Sequence, residues 1–368
     1  MGPHYGSWAG EAGRRHCPPT PDARTAEGTI AAVSVLVVTD ERFLDHRPGE
    51  RHPERPARLE AVWSGLDAAG LGDAVVRRPA EEASDEDLLR CHPVPHLARL
   101  VDLDAAGGGR VDADTKMSTG SLTAARLAAG AGLVAVAALR NGEAETAFCA
   151  VRPPGHHATP TRTMGFCLLN NVAVTAMALA DAGERVAIVD FDAHHGNGTQ
   201  EAFYSDDRVL FVSCHQWPLY PGTGAPDEVG EGAGTGTTVN LALPPEAAGD
   251  TYRHALDAVV VPIVERFAPD WLLVSAGFDA HRADPLTRLG LTSGDFADLT
   301  DRLVGLARTG RSILFLEGGY DLDALSASAG AAVAAAVGID YRPEVASSEG
   351  PGREVVESAA VLHGLVVR

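Results

Sequence analysis

Four short stretches of this sequence concentrate side chains that can hold metal ions and move protons. The segment Asp190-Phe191-Asp192-Ala193-His194-His195-Gly196-Asn197-Gly198 puts two carboxylates and two imidazoles within six positions. Arg152-Pro153-Pro154-Gly155-His156-His157 offers a tandem imidazole pair, and Gly277-Phe278-Asp279-Ala280-His281 another carboxylate. Glu317-Gly318-Gly319-Tyr320-Asp321 sets a phenol among glycines and acids. Carboxylates and imidazoles ligate divalent cations or carry general acid–base chemistry, and a phenol can donate a hydrogen bond. Singly, the stretches are weaker. A His-His pair is more often a surface feature, Asp279 reads as a turn residue, and Glu317-Gly318-Gly319 fits a plain strand-to-helix turn. The Asp-x-Asp-x-His-His-Gly-x-Gly segment differs, because packing has no need for so many polar groups after an apolar strand. In extended chain, residues i and i+2 point the same way, so Asp190, Asp192 and His194 can converge on one side.

The elements around these stretches alternate between strand-like and helix-like patterns. Val33 to Val38 reads as a first strand, followed by strands at Thr146–Val151, Arg185–Phe191, Val209–Ser213, Val239–Leu243, Trp271–Ala276 and Ser312–Leu316. Helical patterns cover Pro56–Ala69, Ser118–Arg140, Leu169–Ala182, Gly249–Phe267 and Asp295–Ala307, with a last Ala-rich helix starting near Leu322. Several strands are continuous apolar runs, which marks a parallel sheet covered on both faces. The expected fold is therefore α/β: a single-domain, open, mostly parallel sheet with helices on both faces. Each of the four polar stretches follows one of these strands, and ligands of such sheets bind at the strands' carboxyl ends. The expected organisation is a disordered leader over residues 1–30, a catalytic domain over 31–345, and a C-terminal tail over 346–368 that cannot be placed.

Bulk composition narrows the function classes. The formal charge is −20, from 30 basic and 50 acidic residues, and Lys116 is the only lysine. A field of that sign repels phosphate backbones, so direct nucleic-acid binding is not expected. No apolar run approaches the ~20 residues of a membrane span, and no apolar segment follows Arg14-Arg15 as a secretory signal requires. A cytoplasmic location is the expectation. The five cysteines form no C-x-x-C pair, which argues against a disulfide scaffold or a cysteine-ligated zinc site.

The motifs, in their order along the chain, resemble the histone-deacetylase superfamily, specifically its bacterial class II-like and acetylpolyamine amidohydrolase-like branches. The resemblance runs from about Val33 to Gly338. It includes His52-Pro53-Glu54-Arg55-Pro56-Ala57-Arg58-Leu59, the four polar stretches, Gly165-Phe166-Cys167 and Pro221-Gly222-Thr223-Gly224. It implies Asp192, His194 and Asp279 as ligands of a catalytic Zn²⁺, with Fe²⁺ or Co²⁺ as alternatives for so oxygen-rich a set. The ion would polarise an amide carbonyl and activate water. His157 would serve as general base and then acid, with His156 assisting electrostatically. Asp190 and Asn197 would be the partners of His156 and His157, and Tyr320 would donate to the oxyanion. Gly165, Phe166, Tyr220 and Leu286 would line the acyl channel. A structural K⁺ would lie at Asp190, Asp192, His194 and Ser213.

The function so implied is removal of an acetyl or small acyl group from an amine, either an acetyl-lysine or a small molecule. An acetylpolyamine substrate is the alternative. Leu286 stands where polyamine-specific relatives place an acid, which favours the first. Two other classes compete: a non-catalytic binder of acylated ligands, and an arginase-like enzyme with two manganese ions. Retention of all the motif residues argues against the binder. The tandem histidines and Gly-Gly-Tyr argue against the dimetal enzyme. This reading leaves room for a homo-oligomer.

Overall fold

The computed structural model describes residues 34–365; the expected leader lies outside the described residues. The strands are β1 (Val35–Thr39), β2 (Val75–Pro79), β3 (Gly108–Arg110), β4 (Lys116–Ser118) and β5 (Thr146–Cys149). They continue with β6 (Val186–Asp190), β7 (Val209–Gln216), β8 (Thr238–Leu243), β9 (Trp271–Ala276) and β10 (Ser312–Leu316). β3 and β4 form a small antiparallel ribbon. The other eight make one sheet in the order β2-β1-β5-β10-β9-β6-β7-β8, and every neighbouring pair is parallel.

Every residue of β5 through β10 is buried. That is why these strands read as unbroken apolar runs rather than alternating ones. Helices flank the sheet, and the rings of Phe191, Phe278 and Phe296 pack edge-on or tilted beneath the loops that follow β6 and β9. The edge strand β2 was not expected. Its Val75-Val76-Arg77-Arg78-Pro79 is partly exposed, and Pro79 cannot donate to a further strand.

One expectation is corrected. Helix Ser121–Arg140 is long and apolar enough to span a membrane by length and composition, although 67% of its apolar 18-residue window is buried inside the fold. Its alanines and Gly130 and Gly132 pack it tightly: a Cβ on Gly132 would strike Thr175 and Phe315. The chain after 345, which the sequence left unplaced, carries a helix packed on the fold. Ser347 Oγ donates to Asp295 Oδ2 at 2.6 Å, and helix Arg353–Leu362 packs beside β8, so the described residues 34–365 form one compact unit. The expected helix Gly249–Phe267 contains a π-helical stretch at Leu256–Val260.

Candidate active site

The four polar stretches follow β5, β10, β9 and β6, which are four adjacent strands at the centre of the sheet. Parallel pairing puts all their carboxyl ends on one edge, so His157 and Tyr320, 163 positions apart in sequence, share one crevice. β6 ends at Asp190, whose register partners are Ser213 on β7 and Ser275 on β9. Beyond it the chain bends rather than staying extended, as had been expected. Asp190 Oδ1 accepts the N–H of Asp192 at 3.0 Å, and Asp192 Oδ1 accepts that of His194 at 2.9 Å. Each aspartate thus folds onto the backbone two residues ahead, a turn its short side chain favours.

This winding leaves Asp192, His194 and Asp279 with one ligand atom each, all within 4.8 Å of one another and all buried. His194 Nδ1 lies 2.9 Å from Asp279 Oδ2 and 3.2 Å from Asp192 Oδ1. Donors about 2.0–2.1 Å from a tetrahedral Zn²⁺ stand roughly 3.3 Å apart, so the set fits that ion. The charge balance fits too. Burial, with the neighbouring Asp192 charge, pushes the Asp279 carboxyl up to about 7, and a shared divalent cation would relieve that cost. Close approach requires glycine at two points. A side chain on Gly318 or on Gly277 would collide with the Asp192 carboxylate, and one on Gly318 with Asp279 as well.

The tandem histidines sit beside this centre, with ring centroids 4.1 Å apart. His156 Nδ1 is 2.9 Å from Asp190 Oδ2, and His157 Nδ1 is 2.8 Å from Asn197 Oδ1. Burial alone would lower His156, but Asp192, Asp190 and Glu317 together raise it well above its ordinary value. For His157 burial acts first, and positive charge at His156 and His194 adds to it, holding it well below. The two imidazoles are thus pushed in opposite directions, His156 towards its cation and His157 towards its neutral form.

A cavity of about 240 Å³ leads from the surface to His157 and His194, with Gly165, Phe166, Leu219, Tyr220, Leu286 and Tyr320 on its walls. It is smaller than the ~300–1,000 Å³ of drug-sized sites and suits a short acyl group. Phe166 holds a left-handed backbone (φ 68°), an unusual state for a bulky residue. Its N–H donates to Thr115 Oγ1 at 3.0 Å, and its ring meets the Tyr320 ring edge-on at 5.8 Å. Gly165 (φ 56°) lies against His157, where a Cβ would clash with the imidazole. Tyr220 stands at the rim, edge-on to His157 at 5.2 Å. Burial keeps the Tyr320 phenol well above its ordinary range, hence protonated.

Several contributors had no role in the sequence reading. Asp114 also lines the cavity, as the one carboxylate among its described lining residues. Buried Glu317 accepts the N–H groups of Gly155 and His156 at 2.7 and 3.1 Å, which pins the tandem histidines. Buried Glu54 takes a bidentate pair from Arg152 at 2.5 and 2.7 Å. Arg58 reaches the carbonyls of Glu317 and Gly319 and lies 4.9 Å from the Tyr320 ring centroid. The motif glutamate and arginines were visible in sequence, but nothing there paired them. Ser213 Oγ lies 3.0 Å from His215 Nδ1, beside Asp190 on the next strand.

The parallel eight-stranded sheet and this crevice define an α/β protein with a candidate metal centre at the carboxyl ends of its central strands. A family profile described as "Histone deacetylase domain" matches residues 52–336. The chain is 43% identical over 293 residues to a probable deacetylase of Archaeoglobus fulgidus, covering 78% of this chain and 81% of that one. It is 42% identical over 275 residues to a histone deacetylase-like amidohydrolase of Pseudomonas aeruginosa, covering 73% and 72%. The crystal structure of an HDA15 HD domain superposes with a TM-score of 0.83 at 38% identity, covering 90% of this chain and 95% of that one. The chain belongs to the histone deacetylase family.

Proposed function

We propose that the protein is a zinc-dependent deacylase that hydrolyses the amide of an acetyl or similarly short acyl group on an amine, acetyl-lysine foremost. One observation carries this reading. The convergent Asp192, His194 and Asp279 donors meet, through His194, a cavity whose walls include His157 and Tyr320. Zn²⁺ held by those three donors would polarise the amide carbonyl and lower the pKa of water.

The remaining steps belong to the chain's own groups. His157, kept neutral by burial and by the positive charge of His156, accepts a proton at its free Nε2, because Nδ1 is engaged by Asn197. His156, kept cationic by Asp190, supplies fixed positive charge beside the reacting carbonyl. The Tyr320 hydroxyl donates to the oxygen as it becomes an oxyanion, where a protonated, partly buried donor is most effective. His157 then returns the proton to the departing amine. Phe166 and Tyr220 confine the alkyl stem, and Leu286 closes the rim. The same reading assigns a structural K⁺ to Asp190, Asp192, His194 and Ser213, and a cytoplasmic location.

A second substrate class is favoured by a specific residue. Asp114 on the cavity wall could meet the second cation of an acetylated polyamine, a role the apolar Leu286 cannot take. Assay of the zinc-loaded protein on acyl-lysine peptides beside acetylpolyamines tests both. Release of acetate from the peptides is expected. Turnover confined to polyamines would reassign the substrate, and no turnover on either would remove the proposal.

A further inference from the structure

The proposed oxyanion donor is held from behind by a carboxylate that the steps above leave unused. Asp284 lies in Arg282-Ala283-Asp284-Pro285-Leu286, the segment that follows the Asp279 loop and ends at the rim of the cavity. It is buried, and both of its oxygens are engaged: Oδ2 accepts the N–H of Tyr320 at 2.7 Å, and Oδ1 accepts the N–H of Leu286 at 2.9 Å. The Leu286 bond closes a local turn around Pro285, as Asp commonly does before proline. The Tyr320 bond spans 36 positions and serves no turn. It acts on the same peptide unit that Arg58 grips from the other end, since Arg58 Nε donates to the carbonyl of Gly319 at 2.6 Å. A peptide unit is planar, so fixing its C=O and its N–H fixes its plane. That plane, together with the Tyr320 φ, sets the direction of the Tyr320 Cα–Cβ bond. Gly319, at φ 120°, could not hold the plane unaided.

We propose that Asp284 is a positioning residue: it fixes the Gly319–Tyr320 peptide plane so that the Tyr320 hydroxyl is aimed into the cavity, and it ties the Leu286 rim to that plane. The proposal rests on the deacylase reading for its catalytic consequence, while its structural half stands apart from it. Without the carboxylate, the Tyr320 N–H would lose its acceptor and the plane could rotate. Misplacement of a catalytic group by about 1 Å can cost on the order of 10²-fold in rate.

Asp284→Ala removes both acceptors, whereas Asp284→Asn keeps one oxygen. On the zinc-loaded full chain with an acetyl-lysine peptide, Asp284→Ala is expected to lower kcat roughly 10- to 10²-fold. KM should change far less, and Asp284→Asn should restore much of the loss. In a Tyr320→Phe background, Asp284→Ala should cost little further, because the group it aims is gone. Amide hydrogen exchange on the chain as purified gives a readout free of activity. The segment 317–322 should exchange faster in Asp284→Ala, with global unfolding unchanged. Additive losses in the double variant, or unchanged exchange at 317–322, overturn the proposal. If Asp284→Ala does not fold, Asp284→Asn is measured by the same exchange and double-variant comparison. A wild-type protein inactive on every acylated amine, in which Asp284→Ala still frees segment 317–322, would sink the deacylase reading and leave the positioning role standing.

Discussion

Asn197→Asp tests the split between the two histidines with a change of a single atom type. Asn197 Oδ1 sits 2.8 Å from His157 Nδ1 in a part-buried contact, so the substitution places a carboxylate where a neutral oxygen was. With charge centres about 4 Å apart and an effective dielectric near 20, the added attraction to an imidazolium is about 4 kcal/mol. At 1.36 kcal/mol per unit, that is close to ~3 pKa units. The carboxylate is itself partly desolvated and the amide oxygen already accepts a hydrogen bond, so a rise of roughly 1–2 units is the expected net effect. The sign follows from the chemistry. In the parent, burial and the positive charge of His156 hold His157 well below its ordinary value, so the base form persists into acid. In Asn197→Asp that form is lost at higher pH. The assay is kcat/KM for an acetyl-lysine peptide across the pH range, with zinc held saturating. The acidic limb should move upward by 1–2 units as an apparent value for the coupled group. A limb that stays in place, or moves down, would refute the assignment of His157 as the base.

Other expectations follow from the same geometry. Tyr320→Phe should leave the fold and metal content intact yet lower kcat by roughly 10²–10³, as loss of one oxyanion donor does; near-normal turnover at saturating substrate would show that another group stabilises the intermediate. His157→Ala should lose at least ~10²-fold and more than His156→Ala, and equal residual rates would contradict the split. Arg152→Met should destabilise by about 3 kcal/mol in denaturant unfolding, because it leaves Glu54 charged, fully buried and short of its bidentate partner. Burial alone would raise the Glu54 carboxyl, but Arg152 and His46 hold it well below its ordinary value. The stability it contributes is therefore present above the usual glutamate range and lost only as pH falls through the depressed value. A variant as stable as the parent at neutral pH would show that Arg58 and His46 suffice.

The parts of the site legible in sequence were those carried by unusual local composition. Asp190, Asp192, His194 and Asn197 fall within eight positions, and the central strands β5, β6, β9 and β10 announce their burial by unbroken apolar runs. The remaining contributors depend on long-range pairing, which no local window contains. Arg152 meets Glu54 across 98 positions, and Arg58 meets Gly319 across 261. Asp284 before a proline looks like any turn residue until Tyr320 is folded against it. Asp114 sits in the Asp-rich loop between β3 and β4, where three-residue strands leave almost no pattern. Helix Arg353–Leu362 was missed although Val355, Val356, Ala359 and Ala360 repeat at helical spacing, because the Gly- and Ser-rich chain before it reads as an unstructured tail.

The most direct test of the central claim is a zinc titration of chelator-stripped protein, read as acetate released from an acetyl-lysine peptide. The account predicts no release without metal, and a rate that rises linearly to a plateau at one equivalent of Zn²⁺ per chain. Asp279→Asn should need far more zinc to reach any plateau. Acetate release by the stripped protein, or a plateau only at two tightly bound manganese ions, would contradict it.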